Sequence, residues 1–324
     1  MRSGLRRFAF GAALAATSVG AAYAQAPDFP KTHIKLVLGF GPGTGMDILG
    51  RILADKLTAA LPPGMVVENR PGAGGRIATK QVIDAEADGH TLALGSNATL
   101  IIGPTLSTTT PYVAERDLAP IAMVGRTSMV LVVSSEKGAK TLDELIAKLR
   151  SEQVTFASTG AGTLGHLSSE VFLISANVKA AHVAYRGSSQ SLTDVLRGEV
   201  AFAIDSTAAV APFLQNQSLR PLAVTGTERL KGLPDVKTFA EQGVTGMEIY
   251  AWWAVMAPAK TPQPILQKVG DEIDKALASE DTRTRMGALQ VEPVRMRGEA
   301  LLQFMAKETA FWQDFVRKSG FRMN

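Results

Sequence analysis

The glycine-rich stretch from Gly39 to Asp47 most constrains the fold of this 324-residue chain. An apolar run precedes it at 34–38, and apolar residues recur at helical spacing over 48–57. A strand, a glycine-rich turn and a helix start in this order form a concave turn lined by backbone N–H groups. The helix dipole adds positive potential at the same point, so the stretch predicts a binding site for an anion.

Strand and helix patterns alternate from residue 34 to about residue 100. Predicted strands fall at 34–38, 65–69 and 91–95, and the helices between them follow the turn at 39–47 and occupy 76–86. This βαβαβ order is typical of a parallel sheet with helices on both faces. The first part of the chain is therefore predicted to form an α/β lobe.

The same alternation restarts in the middle of the chain. Strands are predicted at 153–158, 181–185 and 200–204, and helices at 141–149, 164–176 and 188–197. Two apolar runs, 121–133 and 249–256, are predicted to cross between two lobes, and two amphipathic helices end the chain. We predict an α/β fold with one lobe at 25–126 plus 250–324, a second at 127–249, and a cleft at the carboxyl ends of the strands.

Each predicted lobe carries a Gly-Thr pair at the start of a helix, with a polar residue four positions after the glycine. These residues are Gly43, Thr44 and Asp47 in the first lobe and Gly162, Thr163 and His166 in the second. Glycine lets the backbone approach a ligand closely, and threonine adds a hydroxyl donor. If both turns face the cleft, they are suited to bind one carboxylate or both carboxylates of one molecule.

The first 24 residues have the pattern of a secretory signal peptide. Three arginines lie within the first seven residues, an apolar run follows over 8–19, and alanines occupy positions 22 and 24. Removal of this segment lowers the formal net charge from +4 to +1, so the charge does not predict a nucleic-acid partner. The chain has no cysteine, which excludes disulfides and thiolate metal sites. We predict a periplasmic protein, exported through a cleavable signal peptide.

The glycine-rich turn does not match a nucleotide-binding motif. A P-loop requires Lys followed by Ser or Thr, whereas Met46 and Asp47 follow Gly45. The dinucleotide-binding fingerprint reads G-x-G-x-x-G. Gly41 and Gly43 match its first two glycines, but Gly45 comes one position too early to match the third. No cofactor is therefore expected.

Enzymatic chemistry has weak support in the sequence. There is no G-x-S-x-G motif, and the four histidines do not have zinc-ligand spacing, so no metal is expected. Asp47 and Asp205 are a conceivable acid–base pair, but Asp47 equally fits a capping carboxylate. His166 equally fits a side chain that hydrogen-bonds within the first turn of its helix.

Several segments together resemble one family. Residues 67–75 read Val-Glu-Asn-Arg-Pro-Gly-Ala-Gly-Gly, residues 39–47 are similar to F-x-P-G-G-x-x-D, and residues 88–92 are similar to D-G-Y-T-L. Residues 183–187 are similar to V-P-Y-K-G. These motifs resemble those of the substrate-binding proteins of tripartite tricarboxylate transporters, also called Bug receptors, and the resemblance spans nearly the whole chain after the signal peptide.

The resemblance implies a non-enzymatic receptor with a two-lobe, type II-like periplasmic binding protein fold. Each lobe would be a mostly parallel sheet flanked by helices, with two crossover strands. The protein would be a monomer that closes on a di- or tricarboxylate, an amino acid or an aromatic acid. It would deliver this ligand to the inner-membrane subunits of a transporter or serve a sensor kinase. A secreted hydrolase that uses Asp47 and His166 remains an alternative.

The resemblance also implies which residues contact the ligand. In the first lobe these are Gly43, Thr44, Gly45, Asp47, Ser96 and Asn97. In the second lobe they are Ser158, Thr159, Gly160, Gly162, Thr163, His166, Tyr185, Arg186 and Asp205. The sequence departs from the family pattern at 41–44, where Thr44 replaces a glycine; its hydroxyl is expected to change the usual arrangement of bridging waters.

Overall fold

The structure is a computed structural model, and it describes residues 29–42, 44–107, 110–185 and 187–320. The predicted signal peptide and two predicted ligand contacts, Gly43 and Arg186, lie outside the described residues. No helix in the described ranges is both long enough and apolar enough to span a membrane.

The first βαβαβ unit forms as predicted. Its elements are β1 (Ile34–Leu38), α1 (Gly45–Ala60), β2 (Met65–Asn69), α2 (Arg76–Ile83) and β3 (Thr91–Ser96). Strand β1 lies between β2 and β3 and is parallel to both. Because helices cover both faces of this sheet, nearly every side chain of β1 and β3 is buried, rather than those on one face alone.

The chain then enters the first crossing strand. A π-helical turn (Ala98–Ile102), α3 (Gly103–Leu106) and α4 (Ala114–Asp117) lead into β4 (Leu118–Ser134). The sequence predicted an interruption near Gly125, but β4 is one strand of 17 residues. The register against its neighbour shifts near this point, and a Cβ atom at Gly125 would lie 2.7 Å from Val291.

The second unit repeats the first and adds elements that the sequence did not predict. It contains α5 (Leu142–Ser151), β5 (Thr155–Ser158), α6 (Leu164–Ser175), β6 (Ala181–Ala184), α7 (Ser188–Arg197), β7 (Phe202–Ser206), α8 (Thr207–Gln215) and β8 (Leu219–Val224). Strand β5 lies between β6 and β7 and is parallel to both. Helix α8 contains Pro212 and β8 contains Pro221, which obscure both elements in the sequence.

The last part of the chain returns to the first unit. Its elements are β9 (Tyr250–Pro258), α9 (Gln263–Ala278), α10 (Glu280–Ala288), β10 (Glu292–Arg297) and α11 (Gly298–Ser319). The predicted return strand and the two predicted amphipathic helices correspond to β9, α9 and α11. Helix α10 is polar on all sides, so it has no apolar stripe that would predict it.

The strands form one continuous sheet in the order β2-β1-β3-β9-β4-β7-β5-β6, and β8 and β10 also pair with β4. Strands β4 and β9 are the two predicted crossing strands, and they are antiparallel to each other. We call the part with β1, β2 and β3 the first lobe and the part with β5, β6 and β7 the second lobe. This is the predicted two-lobe α/β fold; the exact lobe boundaries stay a prediction.

Three apolar clusters hold these layers together. One lies under α1 and α9 in the first lobe, and another under α7 and α8 in the second. The third covers the opposite face of the sheet and spans both lobes, with Met129, Phe202 and Trp252 among its buried members. The crossing strands are therefore packed against a core that belongs to both lobes.

Candidate functional site

The carboxyl ends of the two parallel strand sets point toward each other along β4. Ser96 at the end of β3 pairs with Trp253 of β9, which pairs in turn with Gly125 of β4. Ser206 at the end of β7 pairs with Met129 of β4, and β7 runs antiparallel to β4. Gly125 and Met129 are four residues apart along β4, so the ends of β3 and β7 are separated by about 13 Å in the strand direction. The loops that follow both strand sets therefore border one gap, the usual ligand position in such sheets.

Thr44 begins the helix on the first side of this gap. Its Oγ1 donates to the carbonyl of Gly41 at 2.9 Å and accepts from the N–H of Asp47 at 3.3 Å. The first N–H groups of the helix, those of Gly45 and Met46, have no acceptor within the helix itself. Thr44 and Gly45 are exposed, whereas Met46 is buried, so the helix start reaches the surface at Thr44 and Gly45.

Thr163 begins α6 on the second side with the same geometry. Its Oγ1 donates to the carbonyl of Gly160 at 2.8 Å and accepts from the N–H of His166 at 3.4 Å. The backbone angles are φ −74° and ψ 159° at Thr44 and φ −71° and ψ 159° at Thr163. The Gly-Thr repeat in the sequence thus corresponds to two helix starts of one conformation.

The turn before Thr163 depends on glycine and on a buried hydroxyl. Gly160 has φ +129° and Gly162 has φ +75°, which are angles that side-chain-bearing residues rarely adopt. Ser158 is buried, and its Oγ accepts from the N–H of Gly160 at 3.1 Å. Thr159 lies half-buried in the same turn.

Asp47 is buried and is engaged by two neighbouring side chains. Arg51 contacts both of its carboxylate oxygens, at 3.0 and 2.9 Å, and Asn69 donates to Oδ1 at 2.9 Å. The same Asn69 amide group also donates to the carbonyl of Phe40 at 2.9 Å. The carboxylate therefore fastens the glycine-rich turn to the end of β2, and its role as a cap, a ligand contact or a catalytic acid stays a prediction.

His166 is buried and lies in a cluster of polar side chains. Its Nδ1 accepts the N–H of Gly162 at 3.0 Å, and its ring stacks on His182 with centroids 3.7 Å apart. In the neutral tautomer the proton is therefore on Nε2, which faces Glu170 at 3.6 Å. Nε2 of His182 lies 2.7 Å from the hydroxyl of Ser158. These contacts agree with local bonding at the helix start.

Burial, together with repulsion by His166, lowers the pKa of His182 from 6.5 to about 4, although Glu170 partly opposes this shift. His182 is therefore neutral at physiological pH. An uncharged ring accounts for the close stack of two imidazoles beside the second turn.

Ser96 and Asn97 follow β3 at the edge of the gap. The Oγ of Ser96 is buried and has no hydrogen-bond partner among the described residues. The amide of Asn97 donates to the carbonyl of Tyr250 at 2.9 Å, and its oxygen accepts from the N–H of Ala98. Asn97 thus ties the end of β3 to the start of β9, whereas Ser96 retains an unused hydroxyl.

Tyr185 and Asp205 lie at the ends of β6 and β7. The hydroxyl of Tyr185 donates to Asp194 at 2.8 Å, and burial together with Asp194 raises the pKa of Tyr185 to about 12. Asp205 accepts the N–H of Ser206 at 2.7 Å. Burial raises the pKa of Asp205, and hydrogen bonds from Ser188 and Ser206 partly oppose this.

Sequence reasoning missed several side chains that support these turns, chiefly Arg51, Asn69 and His182. Asn69 lies within the Val-Glu-Asn-Arg-Pro motif, so the motif was a signal for it. His182 lies in a short half-exposed strand, where nothing in the sequence pairs it with Ser158 or His166. In the described ranges, no group of three or more His, Asp or Glu side chains is arranged to hold a metal ion.

Comparison with known proteins gives a consistent assignment. A family model described as the tripartite tricarboxylate transporter family receptor matches residues 49–321. The chain is 34% identical over 311 residues to BugT of Bordetella pertussis, which covers 95% of each protein.

Two solved structures from Rhodopseudomonas palustris are similar over most of the chain. Rpa4515 with adipate is 28% identical, has a TM-score of 0.83, and covers 91% of this chain and 99% of its own. MatC with bound malate is 27% identical, has a TM-score of 0.78, and covers 89% of this chain and 100% of its own. Both similar proteins hold a dicarboxylate.

Proposed function

Because the chain belongs to the tripartite tricarboxylate transporter receptor family, we propose that it captures a small carboxylate between its two lobes in the periplasm and delivers it to a transporter of that type. The observation that supports this most directly is the pair of Thr-capped helix starts, Thr44 and Thr163, with one conformation. They follow strand sets whose carboxyl ends point at one gap.

The two helix starts suit a ligand with a carboxylate at each end. Each offers N–H groups without helical acceptors and the positive end of a helix dipole. An exposed charge gains about 0.3–1 kcal/mol from such a dipole, and more when closure excludes water. A dianion that contacts both lobes at once binds the closed arrangement better than the open one, so binding drives closure.

The unused hydroxyl of Ser96 supports the same location. A buried polar group that lacks a partner is costly, and nearly all such groups in folded proteins are satisfied by protein or ordered water. We propose that a ligand oxygen or a bridging water forms the missing hydrogen bond to the hydroxyl of Ser96. Gly43 and Arg186 are included among the proposed contacts on the strength of the family resemblance alone.

Adipate and malate in two similar structures make a C4–C6 dicarboxylate the first ligand class to test. Asp205 decides between this class and an amino acid. Asp205 lies near the end of β7, whose following loop borders the gap, and we propose that its carboxylate would repel a dicarboxylate and attract an ammonium group. Asp205→Asn is therefore expected to tighten binding of adipate or malate and to weaken binding of an amino acid, as measured by calorimetry.

The experiment that tests the proposal is native mass spectrometry of the exported protein, followed by a thermal-shift screen of dicarboxylates, tricarboxylates, amino acids and aromatic acids. We expect a co-purified acid or a stabilising acid of micromolar affinity. A protein that carries no acid and is stabilised by none of these would contradict the proposal. Binding of the protein is then compared between membranes that contain the transporter's integral subunits and membranes that lack them. Binding that requires these subunits supports delivery to a transporter, and binding without them favours a sensor kinase.

A further inference from the structure

A cavity, which we call the hinge pocket, opens beside the two crossing strands. It has a volume of about 730 Å³, which is the size of a small-molecule site. Its floor is formed by residues 126–128 of β4 and by Tyr250 of β9. None of the thirteen predicted ligand contacts that the structure describes lines this pocket.

The two walls of the hinge pocket come from segments on opposite sides of the crossing. One wall is the segment 228–232, which follows β8 and so belongs to the second lobe. The other runs from α10 into β10, which pairs with the first-lobe part of β4. The walls touch where a Cβ atom at Gly232 would lie 2.4 Å from Oε1 of Gln290.

The charge in this pocket favours an anion. Five basic and two acidic residues line it. Three of the basic residues have ion-pair partners, namely Arg126 with Glu292, Arg229 with Glu241 and Arg295 with Asp274. Lys231 and Arg283 have no ion-pair partner among the described residues. Glu228 also lines the pocket and offsets part of this charge, so a single negative charge fits better than two.

The remaining lining suits an apolar body. Leu230, Leu277, Val291 and Pro293 contribute aliphatic surface. The ring of Tyr250 lies beneath the guanidinium of Arg126, whose carbon is 4.7 Å from the ring centroid. The hydroxyl of Tyr250 is held by the N–H of residue 227 at 2.7 Å, so the ring is fixed at the floor.

We infer that the hinge pocket binds a monocarboxylate with an apolar body, such as a medium-chain acyl acid. The carboxylate lies between Lys231 and Arg283, and the apolar body lies among the aliphatic side chains. Because these two cations belong to different lobes, occupation of the pocket depends on the angle between the lobes. Binding at this pocket is therefore coupled to closure of the cleft.

Calorimetry with octanoate tests this inference. Acetate supplies the carboxylate without the apolar body, and octan-1-ol supplies the apolar body without the charge. Of these three compounds, we expect only octanoate to bind. Lys231→Gln and Arg283→Gln are each expected to weaken octanoate binding about tenfold, because each removes a charge-assisted contact. Lys179→Gln and Arg150→Gln remove exposed charges outside the pocket and serve as matched controls.

The same experiment separates the hinge pocket from the proposed cleft. Thr163→Val is expected to leave octanoate binding intact, whereas Lys231→Gln and Arg283→Gln are expected to leave adipate binding intact. Three results would each overturn the inference: no octanoate binding, octanoate binding that neither hinge-pocket substitution weakens, or octanoate binding that Thr163→Val abolishes. A failure of adipate to bind would instead bear on the proposed function.

Discussion

The side-chain amide of Asn69 donates to the buried carboxylate of Asp47 at 2.9 Å and joins two segments that are 22 residues apart. Asn69 is the last residue of β2, and Asp47 lies in the first turn of α1. The shape of the glycine-rich turn therefore depends on a residue outside that turn. Since Arg51 also contacts Asn69 Oδ1, at 3.3 Å, the three side chains act as one unit.

Replacement of Asn69 by alanine tests this unit. The substitution removes the Asn69 donor from the carbonyl of Phe40 and leaves Arg51 as a side chain that still contacts Oδ1 of Asp47, so we expect a loss of about 1–3 kcal/mol in the free energy of unfolding. Urea denaturation at pH 7 measures this loss. Gln303→Ala, an exposed amide in α11, is the control, and an equal small effect of both substitutions would show that Asn69 does not hold the turn.

The two capping threonines provide a matched pair. Thr44→Val and Thr163→Val each remove the side-chain acceptor of a helix start, and we expect each to cost about 0.5–2 kcal/mol in the free energy of unfolding. Both are also expected to weaken adipate binding without unfolding the protein. Thr44→Ser and Thr163→Ser keep the hydroxyl and should restore both properties. Unchanged affinity in a valine variant would remove that threonine from the site.

The His166–His182 stack predicts a pH dependence of stability. The pKa of His182 falls from 6.5 to about 4 on folding, so below pH 6.5 the unfolded chain binds a proton that the folded protein does not. Stability should therefore decrease as the pH falls from 6.5 toward 4. His182→Gln should reduce the difference in the free energy of unfolding between pH 7 and pH 5.

The control for this measurement is His33→Gln, which changes an exposed histidine just before β1. It should leave the pH dependence as in the unsubstituted protein. If His182→Gln loses as much stability between pH 7 and pH 5 as the unsubstituted protein, then the stack is not the source of the effect.

Asp205 predicts the opposite pH dependence. Burial raises its pKa above the ordinary value of 3.8, so its charged form destabilises the fold as the pH rises through the raised value. Asp205→Asn should therefore be more stable than the unsubstituted protein at pH 7, and the difference should shrink toward pH 4. Thermal unfolding at both pH values measures it, with Asp235→Asn, an exposed aspartate, as the control; a destabilised Asp205→Asn at pH 7 would contradict the assignment.

Local patterns in the sequence predicted much of the fold. The limits of β1 and β2 and the helix starts at Thr44, Thr141 and Thr163 were predicted, because apolar runs and capping preferences act over a few residues. Strand β10 was missed because it begins with a polar residue and Pro293, and its structure depends on pairing with β4. Proline is tolerated there because the strand pairs on one side with β4.

The site was predictable only in part for a similar reason. The Gly-Thr repeat indicated the two helix starts, since their conformation is set by adjacent residues. Asp47 and His166 also have partners 22 and 16 residues away, Asn69 and His182, which lie on strands and which only folding brings near. Whether the fifteen predicted residues contact the ligand stays a prediction.

The central claim is that one acid contacts both lobes and closes them. The chain has no cysteine, so Ala59→Cys near the end of α1 and Ser175→Cys at the end of α6 allow two spin labels to be placed without further changes. Pulsed electron paramagnetic resonance then measures the distance between the labels with and without a bound acid. The acid is adipate or the acid that co-purifies with the protein. We predict that the bound acid changes the distance to a single shorter value; an unchanged distance with an acid that calorimetry shows to be bound would contradict the account.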